Sequence, residues 1–273
     1  MKKQGVNLYR RFDSLTAFQS YLDSNKVTDT FAGHVYSAAK DYDFTRTDSY
    51  EQAVSLMLYG DKQLAKMLDD AGLSAARTKI YRERDRRKLV STVVGAVPNV
   101  PAYISGSPNS MIVYRQHKVK QHVVNVAYNC AVSGGTSSRT IIESAVRLLT
   151  ALMKIEAAGT QVNLYAVNMD STRDGVNSFS IRIKTAGQKF DLLKMCYPIA
   201  HPSMNRRHKF RYTEVTEGVP ESFRFGYGCP ETDDAKIKKH FDSHGLKLDR
   251  AFNCQSLQSM SVERIIEAIT TGE

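Results

Sequence analysis

The sequence predicts an α/β protein in which a mostly parallel sheet is flanked by helices and preceded by a helical N-terminal region. Three observations lead there. Apolar residues recur at helical spacing through much of the first hundred residues. A stretch rich in Pro, Gly and Ser then interrupts the chain at Val97-Pro-Asn-Val-Pro101 and Ser105-Gly-Ser-Pro-Asn109. Beyond it, short β-branched runs alternate with helical stripes, as crossovers between parallel strands require. The expected organisation is a helical region over 1–96, a connection over 97–110 and an α/β domain over 111–273.

Element by element, Phe12, Leu15, Phe18 and Leu22 follow helical spacing around the capping residues Asp13 and Ser14. Asp48-x-x-Glu51 resembles a capping box and opens a second helix that stops at Gly60. Leu64, Met67 and Leu68 mark a third helix ending near Gly72. Ser74 caps a fourth, which carries a basic run. After the connection, Met111 to Gln116 and Val119 to Cys130 read as strands, the second a nearly continuous apolar run. Ser133-Gly-Gly-Thr-Ser-Ser138 turns the chain into a long helix with the stripe Ile141, Ala145, Leu148, Leu152 and Ile155. Gln161 to Met169 is a strand. Asp174-Gly175 turns it back into Phe179, Ile181 and Ile183, whose alternation fits an edge strand. Leu192 to Cys196 is helical, and 197–232, with four prolines, reads as irregular. Lys236 to His244 is a helix, Leu248 to Cys254 a strand, and Val262 to Ile269 the last helix.

Composition narrows the function classes. Of 273 residues, 42% are hydrophobic and 24% charged, which excludes a disordered chain. There is no apolar run long enough for a membrane helix and no secretory leader. The four cysteines form no Cys-x-x-Cys pair, so they are expected as reduced thiols in a cytoplasmic protein. Lys and Arg number 38 against 28 acids, a net charge of +10. The excess is concentrated. Residues 77–88 carry a net +5 and residues 176–212 a net +7, together more than the whole chain. Two such patches focus field on a polyanion.

The stretch Arg206-Arg207-His208-Lys209-Phe210-Arg211-Tyr212 alternates cations with aromatics, and Arg224-Phe225-Gly226-Tyr227 repeats the mixture. Single-stranded nucleic acid is held by this combination, with cations on phosphates and rings under bases. The expected phosphate contacts are Arg82, Arg86, Arg87, Arg206, Arg207, Lys209 and Arg211, and the expected stacking groups are Phe210, Tyr212 and Tyr227. In a strand, alternation would put these cations and aromatics on opposite sides, leaving the rings to the core.

Other motifs are weaker. The Gly134 to Ser138 turn before a helix could hold a phosphate, or serve as a turn and cap; the spacing of a P-loop is absent. Cys229, His240, His244 and Cys254 lack zinc-site spacing, and His244 beside Gly245 suits a helix C-terminus. No hydrolytic signature is present. Neither enzymatic activity nor a cofactor is expected.

The order strand, long helix, strand, hairpin strand, helix, late strand and terminal helix over about 110–273 resembles a von Willebrand factor A-type domain. That family holds a divalent metal on Asp-x-Ser-x-Ser. Here Asn129-Cys130-Ala131-Val132-Ser133 stands in its place, so the resemblance implies a degenerate metal site at Asn129 and Ser133. The stretch Pro101 to Pro108 is similar to one in uncharacterised bacteriophage proteins, which implies a viral setting and the host cytoplasm. The function expected is a non-enzymatic accessory protein binding nucleic acid, single-stranded DNA or RNA favoured. The alternative is a phage assembly module gripping a protein partner at the sheet face above Asn129 to Ser138.

Overall fold

Extended backbone opens the chain in the computed structural model, which describes residues 5–39, 42–70, 88–115 and 122–271. Strand β1 (Val6–Phe12) precedes α1 (Leu15–Ser24), where the Ser14 hydroxyl accepts from Ala17 N–H and caps the first turn. Phe12 therefore ends a strand and does not begin a helical stripe. A short α2 (Tyr42–Thr45) leads to α3 (Tyr50–Tyr59) and α4 (Lys62–Leu68), capped by Ser49 and Asp61. The basic helix expected after Ser74, with Arg82, Arg86 and Arg87, lies outside the described residues.

Residues 88–115 form a small antiparallel sheet of β2 (Lys88–Thr92), β3 (Val97–Pro98) and β4 (Met111–Arg115), in the order β2-β4-β3. A short helix, α5 (Val100–Ile104), stands between β3 and β4, with Asn99 as its cap. Two expectations are corrected here. Lys88 to Val90, read as the end of a basic helix, is strand, and Met111 to Arg115 does not join the main sheet. Each supplies the other's antiparallel ladder, from Lys88 opposite Arg115 to Thr92 opposite Met111.

The main sheet uses β5 (Val123–Asn129), β6 (Gln161–Thr172), β7 (Gly175–Lys184), the two-residue β8 (Cys229–Pro230) and β9 (Arg250–Asn253). Its order is β1-β7-β6-β5-β9, with β8 beside the far end of β6. Strands β6, β5 and β9 run parallel, β7 turns back antiparallel, and β1 lies parallel to β7. The chain is thus α/β, with a mixed, mostly parallel sheet. β7, expected at the edge, is internal, because β1 pairs along it from Val6–Gly175 to Phe12–Ile181. Gly175 permits that approach: a Cβ there would lie 2.1 Å from the Val6 carbonyl oxygen.

Helices cover both faces. α6 (Ser138–Ala157) and α7 (Leu192–Ala200) share one core with the N-terminal helices, in which Phe18, Leu22, Met57 and Leu68 pack with Val126, Leu152, Leu164 and Phe179. Burying each such side chain contributes about 1.5–3 kcal/mol. Segment 197–232 is less irregular than expected. A π-helical turn over 204–209 runs straight into α8 (Phe210–Val215). On the opposite face Ala127, Tyr165 and Val167 meet Ile237 and Phe241 of α9 (Asp234–Ser243). Two further helices, α10 (Cys254–Gln258) and α11 (Val262–Thr271), close the fold against α6. Among the described residues no helix is long and apolar enough to cross a membrane.

Two histidines are enclosed where α7 meets the π turn. Tyr197 hydroxyl lies 3.2 Å from His208 Nδ1, and the His201 ring stacks on Tyr197 at 4.6 Å. Burial pushes His208 down from 6.5 to about 3 and pushes His201 down as well, against the opposing pull of Asp61. An unfolded chain protonates each histidine below pH ~6.5, whereas the native fold keeps them neutral to far lower pH. Stability must therefore fall as pH drops below that value, by up to about 1.4 kcal/mol per pH unit for each histidine. Urea midpoints measured from pH 8 to pH 5 should be level at first and then decline; a level profile to pH 5 would contradict this.

Candidate functional site

The basic and aromatic stretch at 206–212 turns largely inward, which corrects five of the ten expected nucleic-acid contacts, Arg207, Lys209, Phe210, Tyr212 and Tyr227. Arg207 is 1% exposed, Lys209 3%, Phe210 7%, Tyr212 1% and Tyr227 2%. None of these can meet a phosphate or carry a base on an open ring. The helical backbone sends successive side chains around the axis, so cations and aromatics alike enter the core. Lys209 Nζ pairs with Asp170 Oδ1 at 2.8 Å, and Tyr212 donates to the Ser178 carbonyl at 3.0 Å. Burial pushes the Asp170 carboxyl up, and the Lys209 charge opposes it. Lys184, in the same basic stretch, is also buried and pairs with Glu156. Arg206 and Arg211 are half-buried and keep access to solvent.

Arg207 does structural work through all three nitrogens. Nε donates to Thr47 Oγ1 at 3.1 Å, Nη1 to the carbonyls of Ser37 at 3.0 Å and Ala39 at 2.8 Å, and Nη2 to the Thr47 carbonyl at 2.9 Å. About two turns further on, the buried Glu214 carboxylate accepts from the N–H groups of Tyr36 and Ser37, both at 2.9 Å. It also accepts from the hydroxyls of Ser37 at 2.5 Å and Tyr227 at 2.6 Å. A cation and an anion on one helical segment thus read the acceptors and donors of the same loop. Neither needs the other as a counterion, because hydrogen bonds replace the lost water.

That loop is one wall of a cavity of about 360 Å³. Tyr36, Ala39 and Thr45 come from the loop, Arg206 and Phe210 from the π turn and α8, and Arg224 to Tyr227 from the chain before β8. Phe210 and Tyr227 stack face to face at 3.8 Å, and Phe31 continues the stack at 5.5 Å. Tyr36 and Phe225 stay 53% and 74% exposed at the rim. Both non-glycine residues with left-handed backbone among those described, Arg46 (φ 57°) and Tyr227 (φ 61°), lie on the two loops that enclose the cavity. Such conformations cost about 1–3 kcal/mol each and persist where surroundings enforce them. For Tyr227 the enforcement is the ring stack and the hydroxyl bond to Glu214.

The cavity is cationic. Arg206 lies over the faces of Phe44 at 4.6 Å and Phe210 at 5.4 Å, and Arg224 over Phe225 at 5.9 Å. The Nε–H of each is buried with no hydrogen-bond partner. Arg224 has only a loose carboxylate neighbour: Glu221 stands 3.9 Å away and is itself 81% exposed. Among the described residues no acid lines the cavity. Two half-buried guanidiniums on one cavity can offer an anion charge-assisted hydrogen bonds. A second cavity of about 280 Å³, near Asp13 and Arg182, contains both charge signs, and those two are already paired at 3.2 Å.

The strand ends are occupied by their own side chains. Asn129 Oδ1 accepts from Ala131 N–H, and its amide donates to the Glu231 carbonyl. Ser133 Oγ accepts from Gly135 N–H. Among the described residues no three of His, Cys, Asp and Glu gather as a metal site. His240 Nε2 contacts Ser178 Oγ at 2.8 Å, while Cys254 lies against Ser144. Gly134 abuts the cationic cavity, since a Cβ there would fall 2.9 Å from Arg206 Nη2. Of the residues singled out in the sequence, then, Arg206, Phe210 and Tyr227 meet at one place. Tyr36, Arg224 and Phe225 were not selected. The glycines flanking Tyr227 signalled the unusual backbone that brings the last two to the cavity.

A family model described as "Domain of unknown function (DUF7192)" matches residues 2–272. No curated protein and no solved structure matches the chain.

The clamp around Arg207 is directly testable. Replacing Arg207 with Met removes the donors to the carbonyls of Ser37, Ala39 and Thr47, of which Thr47 keeps the Thr45 hydroxyl, and this should cost about 3 kcal/mol or more. Urea unfolding of Arg207→Met should show that loss, whereas Arg206→Met should stay within about 1 kcal/mol of the parent.

Proposed function

The chain belongs to the DUF7192 family, and we propose that it binds nucleic acid, single strands in preference to duplexes, as a binding protein and not a catalyst. The observation that supports this reading is the meeting of two half-buried arginines, Arg206 and Arg224, with aromatic rings at the floor and rim of one cavity. Cations neutralise phosphates there, and Phe225 and Tyr36 offer ring faces to a base that is not already paired. A duplex keeps its bases stacked inside, so it could use only the charge. Among the described residues the interface is centred on Arg206, Arg224, Phe225 and Tyr36, with Arg211 as a half-buried neighbour, while Arg82, Arg86 and Arg87 lie outside them.

The element order behind the von Willebrand factor A-like resemblance is present as β5, α6, β6, β7, α7, β9 and α11. It supports reading that portion as a variant of this type, with β1 added outside the hairpin strand. The likeness of Pro101 to Pro108 to phage proteins supports a viral setting in the host cytoplasm.

The rival reading, a protein-interaction module, draws on a different observation. Val93, Val94, Val100, Tyr103 and Ile104 are all more than half exposed along the small sheet and α5. Apolar side chains grouped in this way suit a protein partner. The sheet face above Asn129 is less suited, since Asn129 is fully buried.

Fluorescence anisotropy with labelled single strands, duplexes and RNA across a salt series separates the two. Single strands should bind best, with a log–log salt slope of about −0.7 for each phosphate contacted. Arg206→Glu with Arg224→Glu should abolish binding, and Val94→Ser with Ile104→Ser should leave it intact. If the parent binds no nucleic acid even at low salt, the proposal is wrong.

A further inference from the structure

The cavity has a charge and a shape that select among phosphates. Its described lining carries two guanidiniums and no carboxylate. A phosphodiester inside a strand brings one negative charge, whereas a terminal phosphomonoester brings about 1.5 to 2 at neutral pH and three acceptor oxygens. The monoester alone matches two arginine forks in both charge and hydrogen-bonding capacity.

Shape points the same way. The floor is closed by the stacked rings of Phe210 and Tyr227, which are buried against Phe31 and Phe223. One wall, at Tyr36 and Ala39, is held by Arg207 and Glu214 and resists spreading. The space, about 360 Å³, is near the lower limit for ligand pockets, so it suits one nucleotide unit and not a run of them. A strand interior must enter and leave; an end has only to enter.

We propose that the cavity between Arg206 and Arg224 binds the phosphorylated end of a nucleic-acid strand, the terminal phosphate on the two guanidiniums and the terminal base against Phe225. This rests on the nucleic-acid reading above and adds the class of ligand that the same site takes. The strand beyond the first nucleotide lies outside the cavity and contributes only general charge attraction.

The test compares one oligonucleotide in three forms, with a 5′-phosphate, with a 3′-phosphate and with hydroxyls at both ends. At physiological salt a phosphorylated form should bind about tenfold or more tightly than the hydroxyl form, as two additional charge-assisted contacts imply. In Arg224→Ala and in Phe225→Ala, both on an exposed loop, that ratio should fall towards one. Thymidine monophosphate should compete with the phosphorylated strand, and inorganic phosphate should compete more weakly because it lacks the base. Equal binding of all three forms overturns the end-selective site while leaving nucleic-acid binding standing. Failure of every strand to bind overturns both. Displacement by thymidine monophosphate without any strand binding makes this a mononucleotide site and also overturns the proposal.

Discussion

The buried guanidinium of Arg207 is the constraint on which the rest of the site depends. It reaches Thr47 across 160 residues of sequence and ends on the carbonyls of Ser37, Ala39 and Thr47. Glu214 completes the contact by taking the N–H groups of the same loop. Removing a charged group from water is expensive, and here hydrogen bonds to backbone offset that cost on both sides of the helix. The result is that the backbone around Ser37 and around Thr47 is fixed in position, with the short α2 between them. Its inner side becomes the wall of the cavity, and Phe44 within α2 becomes a platform for Arg206.

The same constraint explains the fate of the basic stretch. Local composition suggests a cationic surface, yet Lys184, Arg207 and Lys209 are spent on Glu156, the 37–47 loop and Asp170. Their charge is internal, so it adds little to the field outside. What remains at 206 and 224 is small in charge but placed on a cavity, where each cation lies over an aromatic face. A few such groups discriminate among ligands better than a broad cationic face, which attracts any polyanion.

Backbone strain is gathered where the cavity is. Tyr227 sits between Gly226 and Gly228, and all three have positive φ. The glycines take this conformation freely, whereas Tyr227 is held in it by ring stacking and by Glu214. The turn carries Phe225 outward while anchoring Tyr227 inward, so one four-residue segment supplies rim, floor and one of the two cations.

The sequence by itself determined the α/β class, the long helix after the glycine turn, the hairpin at Asp174-Gly175 and the helix from Val262. Each depends on periodicity and turn chemistry within a few residues, where burial pattern and backbone preference agree. Tertiary structure decided what lies beyond that range. Val6–Phe12 became a strand because β7 offered it a free edge, and Lys88–Thr92 because Met111–Arg115 did. The side chains at 206–212 were divided between core and cavity by partners far along the chain, at Ser37 and Thr47 for Arg207 and at Asp170 and Ser178 for Lys209 and Tyr212. Charge and aromaticity are properties of a residue and can be read along the chain. Whether a cation meets solvent, a carbonyl or a ligand depends on which distant segment folds over it, and no local pattern encodes that.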